Sequence, residues 1–274
     1  MSADRYAVIG DPISHSLSPA MHNAAFRAAG ISAEYQAERV SCHDLTARFA
    51  DLSHAYRGFN VTIPHKETVV ALVDVRDHIV ETLGAANTVS VRGGRVEASN
   101  TDPAGFQRAL ESARVGLDGR RAVVLGAGGA ARAVTYALNL RGIRPHVYAR
   151  SPERVERLST LGAIPGSSQL DDLASADLIV NCTPLGMGRH AAQSPLPDGA
   201  ILRPGVVVMD LVYGRSTPFL REAERQGAVV MDGLEMLIFQ GAESFRMWTG
   251  LEPNIDVMRE ACRLALEAKR CCAS

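Results

Sequence analysis

The sequence predicts an α/β protein of two domains, and three observations carry that expectation. Short apolar runs of strand length alternate with longer segments of helical period along the whole chain. A glycine-rich turn follows the apolar run "RAVVL" (121–125) and opens a helix. A second strand–helix series then runs on from that turn. Strands that alternate with helices imply mainly parallel sheets joined by crossover helices, and 274 residues suffice for two modest domains.

The elements follow in order. "RYAVI" (5–9) reads as a strand. "SPAMHNAAFRAAG" (18–30) reads as a helix with Ser18 as N-cap, Pro19 at the first helical position and Gly30 past the end. "AEYQAERV" (33–40) is a strand, followed by a helix near 43–52. "GFNVT" (58–62) is strand-like, with a helix starting at Pro64. "NTVSVRGGRVEAS" (87–99) is a hairpin around Gly93 and Gly94. In the second series, "PHVYAR" (145–150), "ADLIVNCT" (176–183) and "GVVVMDLVY" (205–213) read as buried strands. Residues 232–250 and 254–270 form two final helices. Domain boundaries fall near 105 and 235, and the last two helices return to the first domain. The expected domains are 1–105 plus 236–274, and 106–235.

Composition narrows the function. Apolar residues make up 46% of the chain and the formal net charge is −1, which argues for a packed core and against a nucleic-acid surface. No apolar run approaches the roughly 20 residues of a membrane helix. The segment "MSADRYAVIG" lacks the long apolar region and cleavage site of a signal peptide. The cysteines, Cys42, Cys182, Cys262, Cys271 and Cys272, form no CxxC pair. A disulfide framework or metal site is therefore not expected, and a reducing cytoplasm is.

"VVLGAGGAARA" holds Gly126, Gly128 and Ala131 in the GxGxxG/A pattern, between a strand and a helix. Gly126, Ala127, Gly128, Gly129, Ala130 and Ala131 are the expected cofactor contacts. The glycines allow a tight turn and close backbone approach, and the helix N–H groups hold a pyrophosphate. The second domain is thus expected to be a Rossmann-like dinucleotide-binding domain; an ordinary glycine turn is the bland alternative. At the next strand end, where an acid would bind a ribose 2′-hydroxyl, stands "YARSPER" (148–154). Arg150, Ser151 and Arg154 suit a 2′-phosphate, so NADP (NADPH) is expected over NAD. Arg154 also reads as a solvated helix residue, with Glu153 near enough to pair.

Ligands of open α/β sheets bind beyond the carboxyl ends of the strands. In the first half those ends carry Ser14, His15, Ser16 and Ser18, then Asn60, Thr62 and Lys66, then Asn87 and Thr88, and finally Asn100, Thr101 and Asp102. Each has a plain alternative as a cap or turn residue; together they suit a polyhydroxylated ligand. Lys66 stands out because 27 of the 29 basic residues are arginine, Lys269 being the only other lysine. A positioned lysine can move a proton, whereas an arginine does not deprotonate in proteins.

These motifs resemble the shikimate dehydrogenase family. The resemblance rests on "SHSLSP" (14–19), "NVTIPHK" (60–66), "GAANT" (84–88), "NTD" (100–102), "GAGGAARA" (126–133), "NCTPLGM" (181–187), "DLVY" (210–213) and "DGLEMLIFQG" (232–241), in the family's order along the whole chain. It implies NADP-dependent, reversible reduction of 3-dehydroshikimate to shikimate, and a discontinuous α/β substrate domain. It also implies that Ser16 and Ser18 bind the substrate carboxylate, and that Asn60, Thr62, Asn87 and Gln240 hydrogen-bond the ring hydroxyls or their neighbours. Lys66 and Asp102 match the catalytic pair. Tyr213 matches a tyrosine lining substrate and cofactor, and Thr183 and Met187 lie in a loop by the cofactor. Ala149 replaces a frequent asparagine, Ser99 a common aspartate, and Pro103 a frequent glycine. Two alternatives stand beside this reading: a quinate or dual quinate/shikimate dehydrogenase, and a catalytically silent NADP-sensing module. The expected partners are the small-molecule substrate, no nucleic acid and no membrane, with a monomeric or homodimeric chain.

Overall fold

The computed structural model describes residues 3–116 and 119–271; Cys272 lies outside them. The chain divides into two compact units, Met1–Gly105 with Leu237–Ser274, and Phe106–Met236.

The first unit is built on a six-stranded sheet. Its elements are β1 (Asp4–Gly10), α1 (Ser18–Ala28), β2 (Ala33–Arg39), α2 (Leu45–Ala55), β3 (Gly58–Val61), β4 (Val75–Arg76), α3 (His78–Leu83), β5 (Thr88–Arg92), β6 (Arg95–Ser99) and the start of α4 (Asp102–Ser112). The strand order is β2-β1-β3-β5-β6-β4. β1 is parallel to both β2 and β3, and the β5–β6 hairpin runs antiparallel beside β3. β1 is buried from Tyr6 to Gly10, as a central parallel strand covered on both faces must be. Ala7, Ile9, Phe49, Leu52, Phe59, Val61, Val80 and Val89 form one core cluster on this sheet.

Two helices differ from the sequence expectation. Ser18 is not an N-cap: Leu17 holds that position with no side-chain cap, and the Ser18 N–H bonds to Ser16 Oγ at 3.2 Å instead. That local bond lets the helix begin one residue early, with the Ser18 side chain buried. Pro64 starts no helix either. His65 is buried and its Nε2 is 2.7 Å from the Val40 carbonyl, which pins the segment and leaves only a 3₁₀ turn at Thr68–Ala71.

The second unit contains β7 (Ala122–Leu125), α5 (Gly129–Asn139), β8 (His146–Tyr148), α6 (Pro152–Glu156), β9 (Ile164–Pro165), α7 (Gln169–Ser175), β10 (Leu178–Asn181), β11 (Val207–Asp210), α8 (Pro218–Arg225) and β12 (Val229–Met231). Its sheet has the order β12-β11-β10-β7-β8-β9 and is parallel throughout. The chain leaves β7 in one direction through β8 and β9, then returns to the other side through β10. The switch point of the sheet therefore lies at the glycine turn after β7, where α/β sheets bind ligands.

The chain ends in α9 (Leu234–Thr249) and α10 (Ile255–Cys271). Beyond the first turn of α9, both belong to the first unit. α10 packs along α1. α9 brings Phe245 against Phe26, at 5.2 Å between ring centroids, and Trp248 against Tyr6, at 5.0 Å. Trp248 Nε1 also donates to the Val89 carbonyl at 3.0 Å.

Candidate active site

Sheet register in the first unit sets up the polar cluster. Asn60 of β3 lies opposite Thr88 of β5, which lies opposite Ser99 of β6. The residues next along the chain, Asn87 on one strand and Asn100, Thr101 and Asp102 on the other, leave the sheet at the same edge. Lys66 arrives from the turn after β3. Gln240 and Ser244 descend from α9, one helical turn apart and hence on the same face.

At the centre is Asn87. Its orientation is fixed by a backbone donor: the Thr101 N–H bonds to Asn87 Oδ1 at 2.8 Å. The amide nitrogen must then face the other way. It donates to Asp102 Oδ1 at 2.8 Å, Thr101 Oγ1 at 2.9 Å and Gln240 Oε1 at 3.1 Å. Asp102 is 4% exposed, and its second oxygen takes the Lys66 ammonium at 2.5 Å. The plain reading of Asp102 as a helix cap is not what the side chain does. Asn100 Oδ1 accepts the Asp102 N–H at 3.1 Å, which frees the carboxylate for Lys66 and Asn87. The result is a lysine ammonium held by a fixed, buried carboxylate, a geometry suited to delivering or removing a proton at a ligand oxygen.

Lys66, Asp102, Asn87, Gln240 and Asn60 thus form one hydrogen-bonded set. The other expected substrate residues of this unit stand apart from it. Ser16 and Ser18 are joined to each other. The half-buried Thr62 makes no side-chain hydrogen bond among the described residues. His15, in the serine loop, gives its carbonyl to Lys269 Nζ at 2.9 Å. Burial, with Lys269 nearby, lowers the His15 pKa.

In the second unit the glycine turn has the form a dinucleotide requires. Gly126 has φ +118°, and a Cβ there would stand 3.1 Å from the Cys182 carbonyl group. Gly128 is the extended N-cap of α5, with no side-chain cap and open space where a Cβ would project. Gly129 and Ala130 are half-exposed at the helix start, while Ala127 and Ala131 are buried against the sheet. The first-turn N–H groups therefore meet no side-chain cap and suit an anion. Past β8, Arg150 is exposed and nothing among the described residues pairs with it, which fits a 2′-phosphate. Ser151 is instead occupied locally: it caps α6 through the Arg154 N–H at 3.3 Å and donates to Glu153 Oε2 at 2.7 Å. That bond lowers the Glu153 pKa.

The loop after β10 is organised from below. Thr183 turns its hydroxyl inward to Asn181 Oδ1 at 2.7 Å, and Asn181 Nδ2 donates to Asp210 Oδ1 at 2.9 Å. Asp210 is fully buried and also accepts from Thr217 Oγ1 at 2.6 Å and the Val212 N–H at 3.1 Å. Burial raises its pKa, and those three bonds oppose the rise. Met187 and Tyr213 lie half-buried in the loops so held. No group of three or more acidic, histidine or cysteine side chains placed to hold a metal occurs among the described residues.

Residues 8–89 match the family model "Shikimate dehydrogenase substrate binding domain", and residues 233–263 match "Shikimate 5'-dehydrogenase C-terminal domain". A shikimate dehydrogenase (NADP(+)) of Methanothrix thermoacetophila is 44% identical over 265 residues, covering 95% of this chain and 97% of the relative. The chain belongs to the shikimate dehydrogenase family. Its fold agrees. The Thermus thermophilus shikimate 5-dehydrogenase in complex with NADP(H) and shikimate superposes with a TM-score of 0.87 at 41% identity, covering 96% of this chain and 99% of that one. A shikimate dehydrogenase fold also serves another substrate. The 5-ketofructose reductase of a Gluconobacter strain matches at 28% identity and a TM-score of 0.79, covering 96% and 99%.

Ser244, Thr88 and Tyr35 enter the polar set without having been singled out as site residues. Thr88 was visible as a polar strand end. Ser244 left a weaker signal, as a hydroxyl four residues beyond Gln240 on the same face of a helix. Nothing in the sequence pointed to the Tyr35 hydroxyl.

Proposed function

We propose that this chain catalyses the NADP-dependent, reversible reduction of 3-dehydroshikimate to shikimate, a step towards chorismate and the aromatic amino acids. The observation that carries the reading is the buried Lys66–Asp102 pair, hydrogen-bonded through Asn87 to Gln240, in a unit whose sequence matches the family's substrate-binding model. In this reading residues 1–105 and 236–274 bind substrate, and residues 106–235 bind NADP.

NADPH, when bound, supplies the hydride to the ketone carbon. The Lys66 ammonium donates its proton to the ketone oxygen, and the reverse transfer accompanies oxidation. Asp102 keeps the ammonium aimed, and Asn87 keeps Asp102 in place. Ser16 and Ser18 hold the substrate carboxylate, while Thr62, Asn87, Gln240 and Tyr213 take its hydroxyls and flank. The turn from Gly126 to Ala131 would hold the pyrophosphate; Arg150 and Arg154, with the Ser151 hydroxyl turned from Glu153, would hold the 2′-phosphate; and Thr183 and Met187 would line the cofactor. The protein acts in the cytoplasm, as a monomer or homodimer, without nucleic acid.

A steady-state assay of shikimate oxidation with NADP and NAD, side by side with quinate, tests this. Turnover on shikimate with NADP is expected. Faster turnover on quinate overturns the substrate. NADPH binding with no turnover on either substrate overturns the enzyme reading in favour of a sensor.

A further inference from the structure

Asn60 invites the role of substrate ligand, but both ends of its amide are engaged by protein, and unlike the Asn87 amide, which bonds Asp102 beside Lys66, it touches neither member of that pair. It is 5% exposed, on β3. Its orientation is forced, because Nδ2 lies 3.1 Å from the Asn87 backbone carbonyl, which can only accept. The same nitrogen reaches Thr88 Oγ1 at 3.2 Å and Ser244 Oγ at 3.0 Å, so three acceptors share its two hydrogens. Oδ1 takes the proton of the Tyr35 hydroxyl at 2.7 Å.

The Tyr35 hydroxyl is itself rigidly placed. Its ring is sandwiched in the core, with the His22 imidazole stacked on it at 4.4 Å and 8° between planes. His22 is fully buried, and burial lowers its pKa to about 3, so the ring stays neutral. On the other side of Asn60, Ser244 Oγ lies 2.8 Å from Thr88 Oγ1 and 3.3 Å from Thr101 Oγ1. Thr88 Oγ1 in turn donates to Asn87 Oδ1 at 2.9 Å. Every bond that the Asn60 amide nitrogen makes therefore leads, directly or through one or two hydroxyls, to Asn87. From Asn87 the path runs to the Asp102 carboxylate that holds Lys66.

We infer that Asn60 is a positioning residue rather than a substrate ligand, and that Tyr35 and Ser244 act with it to fix the amide of Asn87 and, through it, Asp102. The inference rests on the proposed reaction for its kinetic meaning. It assigns to the reaction two side chains, one on β2 and one on α9, that face protein partners only. Loss of any member lets the Asn87 amide rock and loosens the Lys66–Asp102 pair. That lowers turnover, with at most a small loss of substrate affinity through the loosened Asn87 amide.

The test uses the full chain with Tyr35→Phe, Ser244→Ala, Asn60→Ala and the double variant Tyr35→Phe/Asn60→Ala. Tyr35→Phe and Ser244→Ala are each expected to lower kcat for shikimate oxidation about 3- to 10-fold, the rate equivalent of one misplaced hydrogen bond. KM for shikimate should stay within about twofold. The double variant should be no slower than Asn60→Ala alone, because the tyrosine acts only through the asparagine. A rise in shikimate KM of about tenfold in Asn60→Ala at unchanged kcat assigns Asn60 to the substrate and overturns the inference. Unchanged kcat in both Tyr35→Phe and Ser244→Ala overturns it as well.

Side-chain amide exchange, read by NMR on the same proteins, needs no turnover. The Asn87 amide hydrogens are expected to exchange at least about fivefold faster in Tyr35→Phe and Ser244→Ala than in the wild type. Equal exchange overturns the inference even if the wild type proves inactive on shikimate. An inactive wild type whose variants still show the faster exchange overturns the reaction and leaves the coupling standing.

Discussion

His22 makes the stability of the first unit depend on pH in a way that can be isolated. The imidazole is fully buried among Tyr35, Phe26 and Trp248, and neither ring nitrogen has a hydrogen-bond partner among the described residues. Burial lowers its pKa from the ordinary 6.5 to about 3. The folded chain therefore keeps His22 neutral at pH 5, while the unfolded chain protonates it. Proton binding to the unfolded state alone favours unfolding, so stability is lost as pH falls below 6.5 and levels off only near pH 3. At pH 5 the chain is 1.5 pH units below the unfolded pKa (6.5 − 5), each worth about 1.4 kcal/mol. The loss is about 2 kcal/mol between pH 7 and pH 5, a sizeable part of an ordinary domain's stability.

The assay is urea unfolding at pH 7 and pH 5, followed by tryptophan fluorescence, on the wild type and on His22→Leu. Trp248 is the only tryptophan of the chain and its ring lies 5.5 Å from His22, so the signal reports the first unit even if the two units unfold separately. Other groups titrate alike in both proteins and cancel. His22→Leu shifts absolute stability through packing, but only the difference in pH dependence is read. The wild type should lose about 2 kcal/mol more than the variant over this range. Parallel pH profiles, within about 0.5 kcal/mol, would refute the claim that His22 is held neutral by burial.

Other outcomes follow from the same geometry. Lys66→Met should lower kcat by about 10²–10⁴, and Lys66→Arg should not restore it, because a guanidinium holds its proton; near-normal steady-state turnover in Lys66→Arg counts against proton transfer by Lys66. Gly58→Ala should cost about 1–3 kcal/mol in a thermal or urea melt, since its Cβ would sit 2.8 Å from the Val89 carbonyl oxygen and overlap Trp248 Nε1, displacing the bond between them. Replacing Arg150 and Arg154 together by alanine should raise KM for NADP about tenfold or more while leaving KM for NAD within about twofold; an equal rise for both cofactors contradicts a 2′-phosphate role.

Much of this was legible in the sequence because the residues involved obey local rules. The glycine turn follows a strand and opens a helix, and strand-like runs on either side of two turn glycines mark the hairpin at Gly93 and Gly94. The polar strand ends were legible because a strand that emerges at a ligand site changes from apolar to polar within one or two residues. What escaped depends on partners distant in sequence. β4 and β9 are only two residues long and exist through pairing with β6 and β8. Ser18 looked like a cap because its chemistry is right, yet its own N–H bonds to Ser16 Oγ, two residues away, and the helix already begins at Ser18, with Leu17 before it as the cap. The Tyr35 hydroxyl meets Asn60 25 residues away, and Ser244 meets it 184 residues away. No window on the sequence contains either pair. Lengths were overestimated at 176–183 and 205–213, because apolar character continues past Asn181 and Asp210 while the ladder stops there. Those two side chains bond each other and the following loops.

The scarcity of lysine is informative only together with burial. Lys269 bonds the His15 carbonyl from an exposed position, a task an arginine performs equally well, so rarity alone does not mark a chemical role. Lys66 differs in its surroundings. Its side chain is 16% exposed and that of Asp102 is 5% exposed, whereas surface arginines paired with carboxylates are far more open, 39% at Arg259 and 76% at Arg39. Removing an ion pair from water costs several kcal/mol per ion before the attraction is counted, and an apolar pair of similar volume is often as stable or more so. Stability therefore gives no reason to keep Lys66 and Asp102 where they are. Arginine, the chain's ordinary cation, would form a bidentate pair with Asp102 and hold it more firmly. The one property that lysine adds at this position is a proton it can surrender. A buried pair that forgoes both the apolar and the guanidinium alternatives is best explained by proton transfer at a ligand oxygen.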